Sequence, residues 1–317
     1  MALSISAWAL TTYQGQVVEA YKEADILGQP FVYRFDPGAA NGLFPKIANR
    51  TVNSRADGSE LTASNTTEGN VTVAFDVPEG VHELISYQQI NTYNQQAPSQ
   101  YAKAFGRQLA EKLQNNLVAY AIKVACGIST GMTAGSYRTD NNGIIGFDNE
   151  DTTGASISDA VFNVLAQMKA DKVPSAGIIG AMYPKYFNWL RKRPEFASRD
   201  YVSTNAGNDQ PKALDAIKVG PTTIYSLASI FNTDISSDTS YAAKYRVNAS
   251  STASQGGSIL GVFWQDEALA VREAERPNGR LDDIADKNSW LVQARGQRGM
   301  ESLQPTAFVA LVGDGGS

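Results

Sequence analysis

Apolar residues Tyr101, Phe105, Leu109, Leu113, Leu117, Tyr120 and Val124 recur at intervals of four, four, four, four, three and four. That spacing is the period of one buried stripe on an α-helix. Pro98 suits the first helical turn and Gly127 the stop, which predicts a helix over 98–126, about 43 Å long at about 1.5 Å per residue. Two strand-like runs precede it, 43–53 and 71–85. In the second, Val71, Val73 and Phe75 alternate with Asn70, Thr72 and Ala74, as in a half-solvated strand. Residues 55–69 between them are polar, with Asp57 and Gly58 supplying a turn. The pattern is an extended hairpin followed by a long spine helix. A hairpin reaching far from any core buries too little of itself, so it calls for a neighbouring subunit to lie on.

Residues 1–40 read as an arm. A short helix carries Tyr13, Val17, Tyr21 and Ala24 on one face and stops at Gly28; an extended piece with Phe31, Tyr33 and Phe35 follows, expected to lie on a neighbour. Beyond the spine, the Gly-, Thr-, Asn- and Asp-rich stretch 129–149 predicts a long connection. A helix over 158–172 is next, with Ile157 as its staple and Val161, Leu165 and Met168 inward. The remaining pattern predicts a strand over 177–182, a helix over 184–193, a strand over 217–226, a Ser/Thr/Ala-rich insertion over 232–257 and an apolar run over 259–264. Residues 269–275 alternate, Pro277, Asn278 and Gly279 make a turn, and 281–286 are acidic and polar. Two last strands, 290–298 and 307–312, are split by Gly299, Met300 and the Gln304, Pro305 pair. The mixture gives an α+β fold.

Composition removes most chemistry. The chain has 317 residues, 43% hydrophobic and 19% charged, enough for one large or two modest domains. No apolar run is longer than 307–312 and no basic segment precedes Lys22, so neither a membrane span nor a signal peptide is expected, and the chain reads as soluble and made in the cytoplasm. Cys126 is the one cysteine and reads as a small buried hydrophobe. A net charge of −5 argues for weak contact with nucleic acid at most, and the basic run Arg191, Lys192, Arg193 is explained by the dipole of the helix it closes. The single histidine, His82, rules out a multi-histidine metal site. No phosphate loop or dinucleotide fingerprint occurs: residues 143–146 and 177–180 are short Gly-Ile-Ile-Gly turns. A calcium loop centred on Gly143 fails because Arg138 stands where the first acidic ligand belongs. Asp282, Asp283 and Asp286 read as a solvated face. No catalytic, cofactor-binding or metal-binding residue is expected, and the chain reads as structural rather than enzymatic.

The order of parts resembles the major capsid proteins of tailed bacteriophages, the Hong Kong 97-type fold, and most closely those of short-tailed phages. The residues that carry the likeness are Leu43, Phe44, Pro45, Lys46, Ile47 opening the hairpin, Val71, Thr72, Val73, Ala74 returning, and 104–125 as spine. Ile259, Leu260, Gly261, Val262, Phe263, then Leu291, Val292, Gln293, Ala294, Arg295, Gly296 and Leu303, Gln304, Pro305, Thr306, Ala307 complete it. The resemblance implies an icosahedral shell of hexamers and pentamers around double-stranded DNA. It also implies an N-terminal arm over 1–40, a hairpin loop over 41–90, a peripheral domain with the spine over 91–150, an axial domain over 151–257, and return strands over 258–317 completing the peripheral domain. Expected partners are further copies of the chain, a portal protein, a decoration or cement protein and, weakly, the packaged DNA, with no membrane. Residues 1–40 are too few for a built-in scaffolding segment, so a separate scaffolding protein is expected. No lysine lies between Lys46 and Lys103, so covalent linkage through the hairpin is not expected. Arg55, Asp57, Glu60 and Glu68 at the tip, and Tyr13, Val17 and Tyr21 on the arm, are the expected inter-subunit contacts. The same fold would serve an encapsulin-like nanocompartment shell. A monomeric carbohydrate-active or adhesive β-rich protein is the reading outside that fold.

Overall fold

The computed structural model describes residues 7–28, 31–35, 41–46, 69–88, 97–193, 216–220, 222–228, 230–250 and 257–314. Four α-helices are described: α1 (Ala7–Ala24), α2 (Ala97–Ala125), α3 (Ala155–Ala170) and α4 (Pro184–Lys192). The strands are β1 (Val32–Phe35), β2 (Asn41–Lys46), β3 (Gly69–Ala74), β4 (Glu79–Ser86), β5 (Ile144–Asp148), β6 (Ile178–Met182), β7 (Ala216–Val219), β8 (Thr222–Ser226), β9 (Ser258–Gln265), β10 (Leu269–Ile284), β11 (Ser289–Ser302) and β12 (Phe308–Asp314).

The apolar stripe folds as expected and does more than line one core. Phe105, Leu109 and Leu113, in the first half of α2, pack with Tyr13, Val17 and Tyr21 of α1 and with Ile85, Leu281, Val292 and Ala294 of the sheet beside them. From Asn116 to Ala125 every residue is buried, and this half lies in the larger core with β6, β9, β12 and α3. A helix buried on all sides, with Asn116 and Lys123 its polar members besides Tyr120, belongs inside a protein. The spine therefore runs through both cores and ties them together.

A four-stranded sheet in the order β1-β10-β11-β4 covers the first core, and a six-stranded sheet in the order β5-β12-β9-β6-β8-β7 crosses the second. Strands β2 and β3 form a separate antiparallel pair, Leu43 opposite Thr72. The chain crosses between the large sheets at Asp266–Ala268, between β9 and β10. Residues 258–314 thus serve both: β9 and β12 in the six-stranded sheet, β10 and β11 in the four-stranded one.

Several elements differ from the sequence expectation. The run over 71–85 breaks at 75–78, so β4 leaves the hairpin and pairs with β11, where Val81 meets Ala294. Asp76 and Pro78 make the break: the Asp76 amide bonds Arg298 O at 3.0 Å, and proline cannot donate to a ladder. Residues 217–226 are two strands, β7 and β8, folded back at Gly220 with φ +58°. The expected turn at Pro277, Asn278 and Gly279 is instead a double irregularity inside β10, between Glu273, Glu275 and Asn278. Among the described residues, strand β1 covers that edge of β10 as far as Glu273 and none pairs with it at Pro277, so the proline costs no described ladder bond there. Residues 143–146 are not a turn; 144–148 form β5, parallel to β12. The polar stretch before it is ordered by Arg138, which is fully buried. Its guanidinium bonds Asp140 at 2.7 Å, Asp171 at 2.9 Å and the carbonyls of Thr306 and Phe308 at 2.8 and 3.1 Å. Strand β11 runs straight through Gly299 and Met300, for a reason found at the hairpin.

Candidate assembly surface

The hairpin β2–β3 rests on very little apolar contact. Phe44, Val73 and Ala270 form a small buried cluster of their own, with Val32 and Leu303 against it. Full burial of a phenylalanine and a valine stabilises by about 3–6 kcal/mol together, whereas ordering one backbone residue costs about 1–2 kcal/mol. Polar groups and close backbone approaches do the rest. Arg272 of β10, fully buried, stacks its guanidinium 4.0 Å from the centre of the Phe75 ring and donates to Val73 O at 3.3 Å. Gly42 has no side chain because its Cβ would fall 2.6 Å from Arg272 Cδ. Gly299 has none because its Cβ would collide with the Ala74 carbonyl oxygen, which is why β11 needs glycine in mid-strand. On the far side Asp76 takes an ion pair from Lys244 at 2.7 Å and a hydrogen bond from the Tyr245 hydroxyl. Beyond this joint Leu43 is 53% exposed and Val77 78% exposed.

The expected contacts of the arm are corrected here. Tyr13, Val17 and Tyr21 face the interior of their own subunit and are buried there. Helix α1 lies close on α2 at Gly106 and on β10 at Gly279, where a Cβ would come within 2.8 Å of Tyr13 and Val17 side-chain atoms. The Tyr13 hydroxyl donates to Gln293 O at 3.3 Å. Arg298 bonds the Tyr21 hydroxyl at 2.8 Å and Glu273 at 2.8 Å, and the Tyr33 hydroxyl donates to Glu273 at 2.6 Å. Burial pushes the Tyr21 hydroxyl up to about 12 against the opposing pull of Arg298. Strand β1 pairs in parallel with β10 of its own chain, Tyr33 opposite Val271. Helix α1 packs within its own chain because α2 and β10 offer glycines where its bulk needs room. The tip residues Arg55, Asp57, Glu60 and Glu68 lie outside the described residues.

Other polar groups fix the spine. Lys123, fully buried on α2, donates to the carbonyls of Thr130 and, at 2.9 Å, Ala243, with no carboxylate in reach among the described residues; burial lowers its pKa to about 8. Tyr120 accepts from the Ser302 amide at 2.8 Å and bonds Glu301 at 3.1 Å. The 232–257 insertion is no loose appendage where described, since Ile235, Tyr245, Val247 and Ala249 are buried in the main core. His82 is exposed on β4, which is an edge of its sheet with Glu83 and Leu84 also exposed. Cys126 is half-buried. Among the described residues no group of three or more His, Cys, Asp or Glu could hold a metal ion, and no helix is long and apolar enough to cross a membrane. Sequence reasoning missed the joint. The signals that mark it are Arg272 inside an otherwise apolar strand start and glycines at 42 and 299 in strand-like runs.

No family model matches the chain, and no curated protein matches it in sequence. Solved structures do match. A chain of the capsid of cyanophage P-SCSP1u superposes with a TM-score of 0.66 at 16% identity, over 90% of this chain and 87% of that one. The mature capsid of bacteriophage PhiM1 gives a TM-score of 0.63 at 15% identity, over 90% and 86%. A virus-like particle from Pyrococcus furiosus gives 0.53 at 10% identity, over 96% of this chain and 100% of that one. The chain has the α+β fold that bacteriophage capsids use.

Proposed function

We propose that this chain is the major capsid protein of a tailed bacteriophage, assembling as hexamers and pentamers into an icosahedral shell around double-stranded DNA. The observation that carries the reading is the superposition on the cyanophage capsid chain over 90% of the sequence, far more than one common motif. The hairpin supports it from within. Its base is clamped by Arg272, Gly299 and Asp76, yet among the described residues the apolar cluster beneath it is small, Phe44, Val73 and Ala270 with Val32 and Leu303 against them, so a neighbouring subunit supplies the surface it lacks. The edge at β4, unpaired among the described residues, is a second surface for such contacts. A scaffolding protein and a portal are the partners proposed for such a shell, a decoration or cement protein is an optional one, and the acidic chain touches packaged DNA only weakly.

Light scattering on the purified protein tests this reading. Large particles or capsomers, with or without a scaffold, are the expected result, and a stable monomer at micromolar concentration refutes it. The complete coverage of the Pyrococcus furiosus particle chain favours a second reading, a nanocompartment shell around an enzyme, though its TM-score is lower. A portal or terminase gene beside this one decides for the virus, and a cargo enzyme with a docking peptide for the compartment.

A further inference from the structure

Where the chain leaves the hairpin, a carboxyl group and an amide complement each other only if a proton lies between them. Glu79 is the first residue of β4, and Asn116 sits in α2 at 2% exposure. Asn116 Nδ2 donates to Glu79 Oε1 at 2.7 Å. The other two oxygens of the pair, Glu79 Oε2 and Asn116 Oδ1, are buried and neither meets a donor among the described residues. Leaving two such acceptors unsatisfied is disfavoured. Turning the amide around does not help, because it puts Oδ1 against Oε1. A carboxylic acid supplies the donor the pair lacks: an O–H on Oε2 able to turn toward Oδ1, while the amide N–H keeps its bond to Oε1.

We propose that Glu79 binds a proton in the folded subunit and shares it with Asn116, forming a latch between the root of the hairpin and the spine helix that opens when the proton is lost. Loss transfers the proton to water and leaves a carboxylate facing an amide oxygen. The surroundings agree. Burial, the largest influence, and Asp76 hold the Glu79 carboxyl above its ordinary range, while Asn116, Lys112 and Arg298 pull the other way. Each charged neighbour is engaged elsewhere. Lys112 of α2 sits 2.9 Å from the centre of the Tyr241 ring, Asp76 is paired with Lys244, and Arg298 of β11 is paired with Glu273. Tyr241 and Tyr245 of the 230–250 segment also feel the Glu79 charge, and burial raises both.

The sign of the pH dependence follows. A carboxyl whose folded pKa is raised stabilises fully below the ordinary glutamate value of about 4.3, and that stability is lost as pH rises through the folded pKa. The latch is an intrasubunit feature; only its effect on shells rests on the assembly reading. The test is infrared difference spectroscopy on dissociated wild-type subunits and on Glu79→Gln, which keeps shape and can form an amide–amide ring. The wild type is expected to show a protonated carboxyl band that bleaches above the ordinary glutamate range, with a thermal midpoint falling through the same window. Glu79→Gln is expected to lack the band and show a flat midpoint there. Asn116→Asp, which shares one proton between two carboxyls, is expected to move the bleach to higher pH. Absence of the band in the wild type, or an unchanged band and profile in Glu79→Gln, overturns the proposal. Subunits that pass this test but form no shells would refute the assembly reading alone.

Discussion

The docking of α1 on α2 makes one substitution act with opposite signs at two glycines. Gly15, exposed within α1, has no atom within 4 Å of the position a Cβ would take, so Gly15→Ala gains only helix propensity, about 1 kcal/mol of stabilisation. Gly106 is also helical, but its Cβ would lie 2.6 Å from Val17 O, 2.9 Å from Ala20 Cβ and 3.1 Å from Tyr21 N. Two of these are backbone atoms of α1, which cannot rotate away, so the helix must shift across Gly279 and out of its core. Overpacking of that kind costs about 1–3 kcal/mol, and its upper half outweighs the propensity gain of about 1 kcal/mol. Gly106→Ala should therefore destabilise by about 1–2 kcal/mol, leaving a gap of about 2–3 kcal/mol between the variants. Urea unfolding of dissociated subunits measures both with one m-value as control. Equal stabilisation by the two alanines would refute the intramolecular docking of α1 and return the arm to a neighbouring subunit.

Three further outcomes follow from the same packing. Leu113→Asp puts an unpartnered charge into the α1–α2–sheet core at a cost of several kcal/mol, of the order of a domain's stability, so loss of soluble yield is expected and normal yield would show the face to be exposed. Arg272→Met keeps bulk but loses the hydrogen bond to Val73 and the stack on Phe75; a modest loss near 1–3 kcal/mol with severely impaired assembly is expected, and normal shells would show that the joint does not aim the hairpin. Because Lys123 has a folded pKa of about 8, below its ordinary value, the unfolded chain binds more protons above that pH; stability should rise from there toward the ordinary lysine range. Buried tyrosines such as Tyr245, raised by burial, reverse the trend at higher pH, and Lys123→Met should abolish the rise, which a pH series of thermal midpoints measures.

The helices and the apolar strands were legible because each carries its burial as a period. The spine stripe from Tyr101 to Val124, the inward Val161 and Met168 of α3, and Pro184 at the start of α4 lie where expected. What the pattern hid depends on distant partners. Pro277 reads as a turn until β10 is seen to continue through it, paired with β11 on either side, and Gly299 reads as a strand end until the Ala74 carbonyl is seen against it. The arm was misassigned for the same reason. Tyr13, Val17 and Tyr21 mark one apolar face, but a face does not say whether its cover comes from the same chain; Gly106 and Gly279 do, more than eighty residues away in sequence. At the candidate surface, the clamp at Arg272 and the Glu79–Asn116 pair join segments remote in sequence, and no local spacing announces them.

Electron microscopy of the purified protein, expressed alone and with a scaffold, tests the central claim most directly. Closed shells, or rings of five and six subunits, are the expected result, and the same particles boiled in detergent should release single subunits, since the stretch between Lys46 and Lys103 offers no amine for a covalent link. Monodisperse single subunits under both conditions would contradict the account, and a ladder of covalent multimers would contradict its noncovalent shell.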